Sequence, residues 1–246
     1  MAGRRVAVVT GAASGLGAAF AVRLAELGFD VAVCDLEDAG ATVAAVEARG
    51  RASFGTIADV ADPAAVEEFA VATRDALGAP TVLVNNVGVS PHVPFADVSL
   101  DEWRRVMAVN LDGLFLVTRA FLDGMIEAGW GRIVNLTSAL GWDAQGRDVV
   151  PYATSKMGVL GFTRSLAAEV GEHGITVNAI CPGIVRTPAM SERLGPERWE
   201  LYSERQALER IAEPEDLLGA LSLLVSEEAA MMTAVNLPGH GGRVWL

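Results

Sequence analysis

Short runs of β-branched and other apolar residues alternate along the chain with longer stretches of helical periodicity. Residues 6–10 (VAVVT), 31–35 (VAVCD), 81–85 (TVLVN), 132–137 (RIVNLT) and 175–180 (ITVNAI) are mostly apolar, without the polar alternation of a half-solvated strand. Strands of that kind are covered on both faces, as they are in parallel sheets. Residues 51–57 make a weaker sixth strand. Between them the apolar spacing predicts helices over 16–27, 39–49, 63–77, 100–128, 152–171 and 214–226. Pro63 and Pro214 suit first helical turns, and Ser99 with Glu102 forms a capping-box pattern ahead of the longest helix. This alternation implies right-handed crossovers and an α/β Rossmann fold: a doubly wound, mainly parallel sheet of about six or seven strands with helices on both faces and ligands at the carboxyl ends of the strands. No linker divides the chain, so residues 1–246 read as a single domain. Two irregular stretches, 87–98 and 182–197, have the length of binding loops, and a lid is expected over about 184–210.

Composition narrows the class. Hydrophobic residues make up 51% of the 246 positions and charged residues 20%, with no low-complexity tract, so a large core is expected and disorder is not. A net charge of -12 lacks the basic footprint that nucleic acid requires. Cys34 stands in an apolar strand and Cys181 beside Pro182; both suit small core residues of a reducing compartment. The first residues run into a strand without signal-peptide character, and no apolar run reaches membrane-spanning length. A cytoplasmic protein without membrane contact is expected.

Candidate chemistry begins after the first strand, where the chain reads Thr10-Gly11-Ala12-Ala13-Ser14-Gly15-Leu16-Gly17. Glycines here allow a tight turn and close approach of the backbone to a pyrophosphate, which then meets the free N–H groups of the following helix. The spacing is GxxxGxG rather than GxGxxG. Asp35 closes the second strand, where a carboxylate can accept both adenosine ribose hydroxyls and would repel a 2′-phosphate. Leu36 follows it, and no cation lies between Ala12 and Leu16, so NAD is expected rather than NADP. Asp59-Val60 could meet the adenine amino group, and Asn85-Asn86-Val87-Gly88 could shape a floor beneath the cofactor.

At the other end, Tyr152-Ala153-Thr154-Ser155-Lys156 places a phenol and an ammonium one helical turn apart on one face. A phenol with a reference pKa of about 10 is a poor base at neutral pH. A neighbouring ammonium favours the phenolate and moves it towards the range that acid–base catalysis needs. Ser138, just past the fifth strand, could hold a substrate oxygen together with Tyr152, and Asn110, inside the long helix, could hold a relay water.

Taken in order, Thr10–Gly17, Asp35, 85–88, Asn110, Ser138, Tyr152 with Lys156, and Pro182-Gly183 resemble the short-chain dehydrogenase/reductase family along nearly the whole chain. The resemblance implies Tyr152 as catalytic acid/base, Ser138 steadying the substrate oxygen, Lys156 on the nicotinamide ribose and Asn110 supporting the relay. It also implies that Pro182, Gly183, Ile184 and Val185 line the nicotinamide end, that Thr187 meets its carboxamide, that no metal is needed and that the assembly is a homotetramer. Residues 90–95 and 129–138 are similar to the 1-phenylethanol dehydrogenase type within that family. Family topology would line the substrate pocket with Leu140, Trp142, Val89, His92, Ile184, Met190, Leu194 and Trp199. Such a wall is largely apolar and has no convergent cationic pair, which suggests a hydrophobic secondary alcohol or its ketone, aromatic ones included, as the small-molecule substrate. A 3-oxoacyl-[acyl-carrier-protein] reductase using NADPH is the alternative, and a non-catalytic dinucleotide sensor the more distant one. Two departures from the family pattern stand out. Val87 replaces a usual alanine, and residues 233–242 (TAVNLPGHGG) carry Pro238 where a last strand is expected and His240 where relatives have aspartate.

Overall fold

The computed structural model describes residues 5–143 and 147–244. In chain order it runs β1 (Val6–Thr10), α1 (Gly15–Glu26), β2 (Asp30–Asp35), α2 (Gly40–Glu47), β3 (Ser53–Ile57), α3 (Pro63–Leu77) and β4 (Pro80–Asn85). It continues with α4 (Leu100–Met107), α5 (Gly113–Ala128), β5 (Gly131–Leu136), α6 (Val150–Val170), β6 (Ile175–Pro182), α7 (Pro188–Arg193), α8 (Pro196–Ser203), α9 (Leu218–Leu224) and β7 (Asn236–Gly239). All seven strands are parallel, in the order β3-β2-β1-β4-β5-β6-β7. The order reverses between β1 and β4, which opens the crevice at the strands' carboxyl ends where ligands of doubly wound sheets collect.

The apolar strand runs are explained by what covers them. On one face Val31, Val33, Val82, Val84 and Val134 pack with Phe20 and Leu24 of α1 and Leu221 and Leu224 of α9. On the other, Val8, Leu83, Ile133 and Val177 pack with Phe69 of α3, Phe121 and Met125 of α5, and Ala167 and Val170 of α6. Burial holds both thiols protonated, pushing Cys34 up to about 12 and Cys181 up to about 11.

Two sequence expectations are corrected, and the doubtful last strand is resolved. The stretch 100–128 is not one regular helix: α4 and α5 are joined by a π-helical turn at Ala108–Asp112, which contains Asn110. The stretch 182–197 is not irregular throughout, because Thr187 caps α7 by accepting the Met190 N–H at 3.3 Å. The last strand forms in spite of Pro238. Strand β7 is the sheet edge, Pro238 is exposed opposite Cys181, and an edge strand tolerates a residue with no N–H to donate.

A buried polar chain ties the site end of the sheet to its helices. Asn85 Nδ2 donates to Thr118 Oγ1 at 3.0 Å and to Asn135 Oδ1 at 2.9 Å, and Asn135 Nδ2 donates to Thr163 Oγ1 at 2.9 Å. Asn135 and Thr163 are fully buried, so nothing can replace a lost partner. Asn135→Ala should therefore lower the unfolding free energy by about 3 kcal/mol in urea titration, the scale of a buried donor and acceptor left unpaired. A loss below about 1 kcal/mol would show that the chain relaxes around the gap.

Candidate active site

The first wall of the crevice is the glycine turn between β1 and α1. Gly11 and Gly15 take φ values of +66° and +59°, and a Cβ on Gly17 would lie 2.1 Å from the Gly11 carbonyl oxygen. Asn86 holds this turn by donating from Nδ2 to the carbonyls of Thr10 and Gly11 at 3.1 and 2.9 Å. Val87 packs beneath it: its Cγ2 would be 3.1 Å from a Gly11 Cβ. Ser14, the residue before α1, makes no side-chain cap, so first-turn N–H groups stay available to an anion. Asp35 accepts the Ala13 N–H at 2.9 Å through Oδ2 and the Glu37 N–H at 3.3 Å through Oδ1. Its carboxylate thus stands against the glycine turn, while Leu36 is exposed. Asp59 accepts the Ala61 N–H at 2.9 Å, an ordinary loop cap, and Val60 packs on Gly113 at the start of α5.

The second wall gathers the proposed chemical groups. Ser138 follows β5, accepts the Leu140 N–H at 3.2 Å and hydrogen-bonds the Tyr152 phenol beside it. Lys156 is 4% exposed and donates to the Leu136 carbonyl at 2.8 Å; its Nζ lies 5.8 Å from the centre of the Tyr152 ring. A Cβ on Gly88 would come 3.1 Å from that ammonium, a tight contact that would press Lys156 aside by a few tenths of an ångström. Asn110 accepts the Val89 N–H at 2.8 Å and donates to the Val89 carbonyl at 3.0 Å and to Ser155 Oγ at 2.9 Å. It therefore clamps the loop after β4 onto α6. The π turn is what aims it inward, as π bulges inside α-helices commonly do at functional sites.

Electrostatics alter one expectation. In the chain by itself the Tyr152 pKa is raised, because burial penalises the phenolate more than the Ser138 hydrogen bond favours it. Burial also pulls Lys156 down to about 8, so the ammonium is itself held at a cost.

A cavity of about 400 Å³ opens above Tyr152. Ser138, Leu140, Tyr152, His92, Met190, Ile184 and Leu194, named for the pocket from the sequence, line it, and so do Pro182, Gly183, Val185 and Thr187, named there for the nicotinamide end. Trp142 and Val89 lie outside that lining; Trp199 is buried beneath the Arg186 guanidinium, which sits 4.7 Å from its ring. Sequence reasoning missed Arg193, Arg198, Tyr202 and Arg243, which also face the cavity. The expectation of a wall without convergent cations is thus corrected. The arginines come from α7, α8 and the C-terminal segment, and no local pattern announces that these three meet. Lys156 did carry a signal that was passed over: it is the only lysine in the sequence.

A glycine turn at the switch point of a parallel sheet, with a Ser–Tyr–Lys group one crevice wall away, defines a nicotinamide-dinucleotide oxidoreductase. The short chain dehydrogenase family model matches residues 5–198, and the chain belongs to that family. It is 38% identical over 241 residues to the (2S)-[(R)-hydroxy(phenyl)methyl]succinyl-CoA dehydrogenase subunit BbsD of Thauera aromatica, covering 97% of this chain and 96% of that one. It is 36% identical to the 3-oxoacyl-[acyl-carrier-protein] reductase FabG of Pseudomonas aeruginosa, again over 97% and 96%. A Sinorhizobium meliloti 1021 protein, assigned as a short-chain alcohol dehydrogenase, superposes with a TM-score of 0.92 at 36% identity, over 97% of this chain and 96% of that one.

Because Lys156 is unique, its amine can be titrated as one resonance in lysine-labelled protein. The folded chain should release that proton near pH 8, against about 10.4 for an unperturbed lysine. Between those values the unfolded state holds more protons, so the stability attributable to Lys156 rises with pH across that window. A midpoint above pH 10 would contradict the burial described above.

Proposed function

We propose that the protein transfers a hydride between NAD(H) and a secondary alcohol or its ketone, with Tyr152 as the proton donor and acceptor. The observation that carries this reading is the convergence of Tyr152, Ser138 and Lys156 on one wall of a cavity whose other wall is the glycine turn. The glycine turn with Ser14, Leu16 and Asp35, the floor 86–88, and 182–187 would hold the dinucleotide, whose nicotinamide supplies or takes the hydride. Asp35 supports NAD over NADP, since a carboxylate beside the turn accepts ribose hydroxyls and repels a 2′-phosphate.

The residues divide the proton work. Ser138 and Tyr152 together orient the carbonyl oxygen. With its pKa raised, Tyr152 is protonated at neutral pH and gives its proton to that oxygen during reduction. The Lys156 ammonium, fixed by the Leu136 carbonyl, lies close enough to favour the phenolate left behind. Asn110 keeps the loop after β4 and α6 in register behind them, and so steadies the relay side of the site. Oxidation runs the same steps backwards.

An aromatic or otherwise hydrophobic substrate is supported by Leu140, Ile184, Met190 and Leu194 around the cavity. The Thauera relative, whose name places a hydroxyl on a phenyl-bearing carbon, supports it too. The Pseudomonas relative keeps a 3-oxoacyl reductase using NADPH as the second reading. Residues 1–246 act in this reading as one catalytic domain. A homotetramer is supported by outward apolar side chains, Phe115 on α5 and Met157 on α6, each more than a third exposed. The buried, unpaired cysteines suit the cytoplasm. Among the described residues no helix is long and apolar enough to cross a membrane.

Tyr152→Phe should lower kcat by at least about 100-fold with NADH affinity unchanged; a variant keeping a tenth of the rate would refute the assignment. NADH should exceed NADPH in kcat/KM by about tenfold or more, with Asp35→Ala narrowing the gap. Preference for NADPH in the unmodified protein would favour the second reading.

A further inference from the structure

The chain carries 31 acidic residues against 19 basic ones, yet among the described residues no acidic one lines the cavity above Tyr152, and three arginines do. Arg193 and Arg198 are exposed at the rim and have no ion-pair partner among the described residues; Arg193 Nη2 donates only to the Ser90 carbonyl, at 2.8 Å. Burial first, and then the charges of both guanidiniums, disfavour protonation of His92.

Arg243 is built differently. Its side chain is 4% exposed, and its guanidinium lies 4.9 Å from the Tyr202 ring centre. Nε and Nη2 both donate to Asp143 Oδ2, at 2.9 and 2.5 Å, which fixes the plane of the fork. Nη1 is buried and has no hydrogen-bond partner. A guanidinium nitrogen hidden from water without an acceptor is destabilising, and a ligand oxygen in the cavity would relieve it. The same arginine borders an outer hollow of about 520 Å³, where Arg147, Arg198 and Arg205 face a single acid, Asp148. A positive path thus leads from solvent to Arg243.

We propose that the substrate carries an anionic group, a carboxylate or phosphate, to which Arg243 donates from its unpartnered nitrogen at the cavity while Arg193 and Arg198 draw it in from the rim. The reacting carbon lies at Tyr152, the apolar side chains cover the middle of the molecule, and the charge points to the C-terminal segment. This rests on the hydride-transfer reading above and deepens it by giving the substrate class. It also gives the C-terminal departure a purpose, because the chain after Pro238 and His240 is what brings Arg243 to the site. The Asp143 pair makes Arg243 a preset donor rather than a mobile charge, which favours specificity over simple attraction.

Two matched pairs of probes test it. The first pair is 3-benzoylpropionate and its neutral amide. The second is acetoacetyl-4′-phosphopantetheine and acetoacetyl-pantetheine, which differ only in the phosphate. The unmodified enzyme should favour the anionic member of at least one pair by about tenfold in kcat/KM. The first pair responding identifies a carboxylate, and the second identifies phosphate. Arg243→Gln should cost the anionic member at least tenfold more in kcat/KM than the neutral one, Arg243→Lys should restore the preference in part, and Arg198→Ala should reduce it mainly at low salt. Binding of each pair to the Tyr152→Phe variant loaded with NADH reads the same preference without turnover, so a failed hydride reading and a failed anion site give different results. Equal treatment of both members in both pairs, or an undiminished preference in Arg243→Gln, would overturn the proposal.

Discussion

A single ammonium placed where water cannot reach it constrains much of this structure. Lys156 is the chain's only lysine, it is almost wholly buried, and its charge is tolerated because the Leu136 carbonyl at the end of β5 accepts from it. Burial without a partner would be far more costly, so the neighbouring groups are arranged around that nitrogen. Gly88 leaves room for it, α6 carries it one turn from Tyr152, and β5 ends where its acceptor is needed. The parallel sheet makes this possible by bringing loop glycines, strand-end carbonyls and helix side chains to one rim.

Rigidity behind the rim comes from buried amides rather than from apolar contacts alone. Asn85 and Asn135 link two strands to α5 and α6, and Asn110 joins the loop after β4 to α6 from the π turn. These groups have few alternative partners once water is gone, so each fixes one relative position of sheet and helix. Chemistry that depends on Ser138 meeting the Tyr152 oxygen needs such fixed positions more than it needs extra stability.

The cavity joins two environments of different character. Near Tyr152 it is bounded by apolar side chains from the β5 and β6 loops, whereas its mouth is bounded by arginines of α7, α8 and the C-terminal segment. An acidic protein whose cavity lining holds three arginines and no acid among the described residues has separated the charge that serves solubility from the charge that can meet a ligand. The edge strand β7, able to form with Pro238 because its outer side faces solvent, is what turns the chain towards that mouth.

Local rules were enough for most elements. Strand runs such as 81–85 and 175–180, the glycine turn and the Tyr152–Lys156 spacing could be read from the sequence because each is a short-range pattern with one physical cause: double-sided burial, positive φ, or one helical turn. The π turn was not readable, since the partners that hold Asn110 within it, Val89 and Ser155, are residues distant in sequence. The expected lowering of the Tyr152 pKa failed for a similar reason: spacing shows that an ammonium is near, but not how deeply both groups are buried. Trp142 and Trp199, assigned to the pocket by topology, were displaced from it by packing that no periodicity encodes. Sequence alone thus determined the order of elements and which residues could do the chemistry. Tertiary structure decided the charge of the pocket, because Arg193, Arg198 and Arg243 become neighbours only when separate segments fold over one cavity.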